Sequence, residues 1–204
     1  MSTLYDSVDY PGHPYADTHP RALAAVGRLF GLATKYPSSC RTLEIGCGDG
    51  ANLVAMAYGL PGSEFVGIDL SARAIAKAVE LARSVEVANV HLLQADLMEA
   101  DPRALGAFDY VVAHGFYSWV PSPVRDRLME VIARCPAPAG IAFVSYNAYP
   151  GFHLRQMLRE MLLLHTRGAE SPGQAIAGAR ALAQYLATGG EGDGLERRVL
   201  RSEA

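Results

Sequence analysis

The chain has 204 residues, half of them hydrophobic and 19% charged, with a net charge of -3. This composition supports one ordinary α/β domain with room for a small appendage, and it excludes disordered, collagen-like and mucin-like chains. The slight acidic balance offers nothing to a phosphate backbone, so nucleic acid is not expected as a partner. Cys40, Cys47 and Cys135 are too few and too scattered for a disulfide framework or a zinc site. They read as reduced thiols of a cytoplasmic protein, and no metal is expected. Met1 to Asp6 carry neither the basic nor the apolar region of a signal peptide. No apolar run approaches the roughly 20 residues of a membrane span.

In chain order, residues 1–19 form an arm rich in aromatic residues and proline: Tyr5, Tyr10, Pro11, His13, Pro14, Tyr15 and His19. Gly12 and the prolines disfavour a helix there, and the arm is placed to act as a lid. Thr18 followed by Pro20 signals a helix start. Leu23, Val26, Leu29, Phe30 and Ala33 continue at helical spacing, which predicts a helix ending near Tyr36-Pro37. Thr42–Ile45 is a short strand running into glycines. A helix follows over 51–58, then a strand over Glu64–Asp69. Ser71 caps a helix carrying Ile75, Val79, Leu81 and Ala82. Val90–Leu93 and Phe108–Ala113 are further strands. Ser122-Pro123 starts a helix bearing Leu128, Val131 and Ile132, with the serine as N-cap, and Ile141–Tyr146 is the fifth strand.

Strands that alternate with helices and are apolar almost throughout predict a parallel sheet covered on both faces. Right-handed crossovers then favour a Rossmann-like, doubly wound sheet of order 3-2-1-4-5. Past residue 151 the pattern is all-helical. Leu154, Met157, Leu158, Met161 and Leu162 form one stripe, Ser171-Pro172 opens a second helix, and a glycine run over 189–194 precedes a last short helix over 195–201. A two-helix piece cannot bury such stripes alone, so a homodimer through 152–188 is expected.

Gly46, Gly48 and Gly50 after the first strand let the backbone turn tightly beside a ligand. The glycine pattern alone also fits dinucleotide binding. Glu44 before the turn and Asp49 inside it separate the readings, because carboxylates there oppose a pyrophosphate. They suit S-adenosylmethionine, which carries an ammonium and a sulfonium and no phosphate. Asp69 ends the second strand, 25 residues after Glu44, where a carboxylate can accept from ribose hydroxyls. Asp96 can accept from an adenine amino group, with Ala95 and Leu97 on either side of the ring; its bland alternative is a helix cap. Asn52 reads as a first-turn helix residue.

The residues from Glu44 to Asp96 resemble the class I S-adenosylmethionine-dependent methyltransferases. Longer stretches resemble bacterial methyltransferases bearing a methyltransferase regulatory domain: His13-Pro14 with Thr18-His19-Pro20, Leu43–Gly50, Phe65–Ser71, Phe108–Tyr110, Ala113–Pro121 and Val144–Gly151. The resemblance implies cofactor contacts from Glu44, Gly46, Cys47, Gly48, Asp69, Leu70, Ala95, Asp96, Leu97, His114 and His19, the backbone of Cys47 mattering more than its thiol. Some relatives of this group methylate lysines of bacterial outer-membrane proteins, which makes a protein lysine the candidate acceptor. Such chains continue beyond a helical region like 151–204, and class I sheets usually add a hairpin of two more strands. The expected organisation is therefore an arm over 1–19, a methyltransferase domain over 20–150, and the start of a truncated regulatory or dimerisation domain over 151–204.

In-line methyl transfer needs positioning and exclusion of water rather than a nucleophile or a metal. His114, Tyr117 and Tyr146, at the carboxyl edge of the sheet, are the candidate catalytic residues. Tyr117, Trp119 and Tyr146 offer aromatic walls to a lysine. Trp119 reads equally well as core, and His114 as a cofactor contact. The alternative function is a catalytically silent module that binds S-adenosylmethionine; a dehydrogenase ranks third.

Overall fold

The computed structural model describes residues 12–188. Tyr5, Tyr10 and the short helix expected over 195–201 lie outside the described residues. The chain divides into two compact units, the first running to Tyr146 and the second from Asn147.

The first unit is built on five parallel strands: β1 (Arg41–Ile45), β2 (Glu64–Asp69), β3 (Val90–Gln94), β4 (Phe108–Ala113) and β5 (Pro136–Val144). Their order is β3-β2-β1-β4-β5, as the alternation of strands and helices predicts. Alternate side chains of the central strands enter different cores. Leu43, Ile45, Val66, Ile68, Val111 and Ala113 pack with Leu128 and Val131 of α5 (Ser122–Arg134). Tyr110 and Val112 pack on Leu23 and Ala24 of α1 (Pro20–Leu29), and Phe65 packs on Leu53, Met56 and Ala57 of α2 (Ala51–Gly59). Burial on both faces is why these strands read as continuous apolar runs. The order of the strands reverses between β1 and β4, and ligands of open α/β sheets bind at such a switch point.

Four local expectations are corrected. The first helix ends at Leu29, not near Tyr36, because Gly31 adopts φ +81° and turns the chain; Leu29 and Phe30 are left exposed. On α3 (Ala72–Ser84) the buried residues are Ile75, Ala78 and Ala82, while Val79 faces out. Ser71 does cap this helix, its hydroxyl accepting from the Ala74 N–H at 3.1 Å. For α5 the N-cap is Pro121, so Ser122 is already helical and makes no cap bond. The fifth strand starts at Pro136 and stops at Val144, with an irregularity opposite Phe108–Tyr110 that absorbs its early start. A short helix with no sequence expectation, α4 (Pro102–Leu105), is capped by Asp101, whose carboxylate accepts from Arg103 N–H at 2.9 Å.

The second unit contains α6 (His153–His165) and α7 (Pro172–Thr188), which pack on each other. Leu158 and Ala183 are buried, while Met157, Met161, Leu163 and Leu164 are exposed. No described helix is long and apolar enough to cross a membrane.

Gly67 of β2 has no room for a side chain: a Cβ would meet Leu53 Cδ2 at 2.7 Å and Cys47 Sγ at 2.8 Å. Gly67→Ala is expected to destabilise the fold by about 1–3 kcal/mol through overpacking, measured as a lower urea midpoint at unchanged m-value.

Candidate functional site

At the carboxyl end of β1 the chain turns through three glycines in the left-handed region: Gly46 (φ +74°), Gly48 (φ +56°) and Gly50 (φ +78°). The Gly46 and Cys47 N–H groups donate to the Ile68 carbonyl, fastening the turn to β2. A Cβ on Gly46 would strike the Phe116 ring at 2.5 Å, and one on Gly50 would strike Ala78 Cβ at 2.7 Å. Gly48 differs: nothing lies within 4 Å of its missing Cβ. The middle of the turn is therefore open to a ligand.

Carboxylates surround this opening. Asp69 closes β2, with Oδ2 accepting from the Gly48 N–H at 2.9 Å and Oδ1 from the Ser71 N–H at 2.8 Å. Asp49 accepts from Ala51 N–H at 3.2 Å and, through its other oxygen, from Gly12 N–H at 2.9 Å. Glu44 is buried on the α2 side of the sheet. Its Oε1 accepts from the Asn52 amide nitrogen at 2.7 Å, while Oε2 has no hydrogen-bond partner. Burial pushes the Glu44 carboxyl up to about 7, and the Asn52 hydrogen bond opposes the rise. Burial, with the negative charges of Glu44 and Asp69, also pushes the Cys47 thiol up, so its thiol is not an available nucleophile near neutrality. Its backbone forms the turn, as expected.

The arm lies against this loop and the start of α2 through Gly12, Tyr15 and Thr18. A Cβ on Gly12 would collide with the Asp49 carboxylate, so a side chain there would push that carboxylate away from its Gly12 N–H bond. Tyr15 N–H donates to Asn52 Oδ1 at 2.8 Å, and the Tyr15 ring lies 3.8 Å from the His114 ring. Thr18 is fully buried, and its hydroxyl accepts from the Asn52 amide at 3.0 Å. Asn52 does sit in the first helical turn, but its role as the junction of arm, helix and strand escaped the sequence reading. One signal was present: Asn52 is the lone polar side chain between Ala51 and Ala57.

The other expected contacts spread along the carboxyl edge. Ala95 N–H donates to the Asp69 carbonyl at 2.9 Å, which puts Ala95 and Asp96 just past the end of β2. Asp96 is exposed and caps its own turn, with Oδ1 accepting from Met98 N–H at 2.9 Å. Leu97 buries its side chain in the core beside Leu43 and Ile68. Leu70 is partly exposed beyond Asp69, its carbonyl facing the Gln94 amide at 3.4 Å. His19 is not brought to the loop. It caps α1, its Nδ1 accepting from Arg21 N–H, and its Nε2 lies 3.9 Å from where a Cβ on Gly59, at the far end of α2, would stand. That is about 12 Å along the helix from the glycine turn.

After β4, burial lowers the His114 pKa, with Asp17 opposing, and so favours its neutral imidazole. The Tyr117 and Tyr146 rings meet edge to face at 6.3 Å, and the Arg125 guanidinium stands 5.6 Å from the Tyr117 ring centre. Trp119 is 55% exposed, which excludes the core reading for it. Gly115 N–H donates to Ser145 Oγ at 2.8 Å and so ties the loops after β4 and β5 together.

A family model described as a methyltransferase domain matches residues 43–142. The chain is 35% identical over 182 residues to the uncharacterised protein RP028 of Rickettsia prowazekii, covering 89% of this chain and 72% of the relative. It is equally identical over 182 residues to RP789 of the same organism, but there it covers 33% of the relative. Among solved structures, PKMT2 from Rickettsia typhi in complex with AdoHcy superposes with a TM-score of 0.78 at 34% identity, over 95% of this chain and 37% of that one. The chain thus spans about a third of the length of RP789 and of PKMT2.

The buried carboxyl of Glu44 makes stability depend on pH. Its folded-state pKa lies above the ordinary value, so the folded chain binds this proton more tightly than the unfolded chain. The associated stability is complete below about pH 4.5 and is lost as pH rises to about 7, a swing of about 3 kcal/mol. Glu44→Gln should remove this component. The expected result in urea unfolding at pH 5 and pH 8 is a smaller loss of stability toward pH 8 for the variant than for the native chain.

Proposed function

The chain belongs to the class I S-adenosylmethionine-dependent methyltransferases, and on that premise we propose that its first unit methylates an amine, a protein lysine being the acceptor class. One observation carries the cofactor side: the only opening in the glycine turn, at Gly48, is edged by Asp69 and Asp49, with a half-satisfied buried carboxyl of Glu44 behind it. A pyrophosphate would meet negative charge there. A cationic nucleoside without phosphate fits the same donor and acceptor set.

S-adenosylmethionine supplies the methyl group on a sulfonium. The work of the chain is to bind, orient and exclude water. Asp69 offers acceptor capacity beyond its two backbone bonds, suited to ribose hydroxyls, and Glu44 offers Oε2 to a cation. The arm, through Gly12 and Tyr15, screens the loop from solvent. Tyr117 and Tyr146 would flank the stem of an incoming lysine, where aromatic faces favour an alkylammonium and then its methylated product. A neutral His114 can hold the proton that the amine must shed before it attacks. The protein-lysine assignment rests on the sequence resemblance together with these rings. A catalytically silent binding module is the less favoured alternative.

Two measurements test this reading. Calorimetry should show micromolar binding of S-adenosylhomocysteine, abolished by Asp69→Ala; tight NADH binding in its place would overturn it. Incubation with methyl-labelled cofactor and a bacterial lysate should then give a labelled protein whose label sits on lysine and is absent with Asp69→Ala.

We further propose that the second unit self-associates. Met157, Met161, Leu163 and Leu164 leave apolar surface on α6, and such surface marks interfaces. Light scattering at about tens of micromolar should give a dimer mass. A monomer there would refute the proposal.

A further inference from the structure

Asn52 uses both its amide hydrogens and its carbonyl oxygen to join the arm to β1. Its Oδ1 accepts from Tyr15 N–H at 2.8 Å; its amide nitrogen gives one hydrogen to Thr18 Oγ1 at 3.0 Å and the other to Glu44 Oε1 at 2.7 Å. The Thr18 hydroxyl, having received from Asn52, passes its own hydrogen to the Tyr15 carbonyl at 2.9 Å. A continuous buried chain therefore leads from the carboxylate behind the glycine turn to the backbone of the arm on both sides of Tyr15.

The orientation of the Asn52 amide is fixed by this arrangement. Rotated by half a turn, its oxygen would face the Glu44 carboxylate and its nitrogen would face the Tyr15 N–H, so both ends would be repulsive. The side chain cannot serve the arm without also serving Glu44. We propose that Asn52 is a positioning residue that couples docking of residues 12–18 to occupancy of the cofactor pocket. The inference rests on the cofactor reading given above.

The physical link is the state of the Glu44 carboxyl. Its Oε2 lacks a partner and is buried. A cation presented to that oxygen favours the ionised form. An ionised carboxylate takes a stronger, charge-assisted hydrogen bond from the Asn52 amide, which holds the amide in the one orientation that accepts from Tyr15. The coupling runs equally in reverse: a docked arm orients Asn52, which then supports an ionised Glu44 ready for a cation. The ring contact of Tyr15 with His114, at 3.8 Å, carries arm docking onward to the acceptor side.

The test uses the full chain and two readouts, calorimetric affinity for S-adenosylhomocysteine and the rate of chymotryptic cleavage after Tyr15, which is partly exposed. In the native chain the ligand should slow that cleavage about tenfold. In Asn52→Ala the protection should fall below about twofold and affinity should drop about tenfold, roughly 1.4 kcal/mol. Thr18→Val keeps volume and leaves the Glu44–Asn52 bond in place. It should lose protection with a smaller loss of affinity, and it serves if Asn52→Ala does not fold. Full protection by the ligand in both variants, or ligand binding to the native chain without protection, overturns the coupling while leaving the cofactor reading intact. Failure of the native chain to bind S-adenosylhomocysteine overturns both.

Discussion

Glu44 projects from the carboxyl end of β1 into the layer occupied by α2, where water cannot solvate it. Burying a carboxyl there is costly unless it is neutral or hydrogen-bonded. The fold provides one bond, from Asn52, and leaves the second oxygen unpaired. A group in that condition raises its pKa and persists only where the surrounding packing holds it. Much of the site follows from this constraint. Asn52 must face the strand, which sets the rotation of α2; α2 must begin just after its N-cap Gly50, which sets the tightness of the glycine turn; and Tyr15 and Thr18 must lie close enough to bond Asn52.

The sheet converts this local arrangement into a binding edge. β1 and β4 are neighbours whose helices leave in opposite directions, so their carboxyl ends are not covered by a crossover. The glycine turn after β1, Asp69 after β2, Ala95 after β3, His114 after β4 and Tyr146 after β5 all lie at that edge for the same topological reason. Parallel strands place the ends of all five at one side, and the period-two alternation keeps their apolar residues in the two flanking cores. The first three positions are polar or small; the last two are aromatic. A division between a polar side and an aromatic side is therefore written along the strand order. In the second unit α6 and α7 cover each other only in part, leaving apolar side chains of α6 exposed.

The sequence by itself determined the order and type of the main elements, because the apolar runs, the glycines and the capping residues act over a few neighbouring positions. β2 and β4 fall on the expected residues, and the parallel order follows from strand–helix alternation and crossover handedness. The glycine turn and Asp69 were legible because a left-handed backbone and a strand-end carboxylate have few other uses. Tertiary structure alone decided where the first helix stopped, since Ala33 keeps helical spacing with Phe30 although Gly31 has already turned the chain. It placed His19 at the far end of α2, left Trp119 exposed and sent Leu97 into the core. It also decided the partners of Asn52. Those partners are 8, 34 and 37 residues away, and a hydrogen bond at that separation depends on how strand, helix and arm pack, which no local pattern of residues encodes.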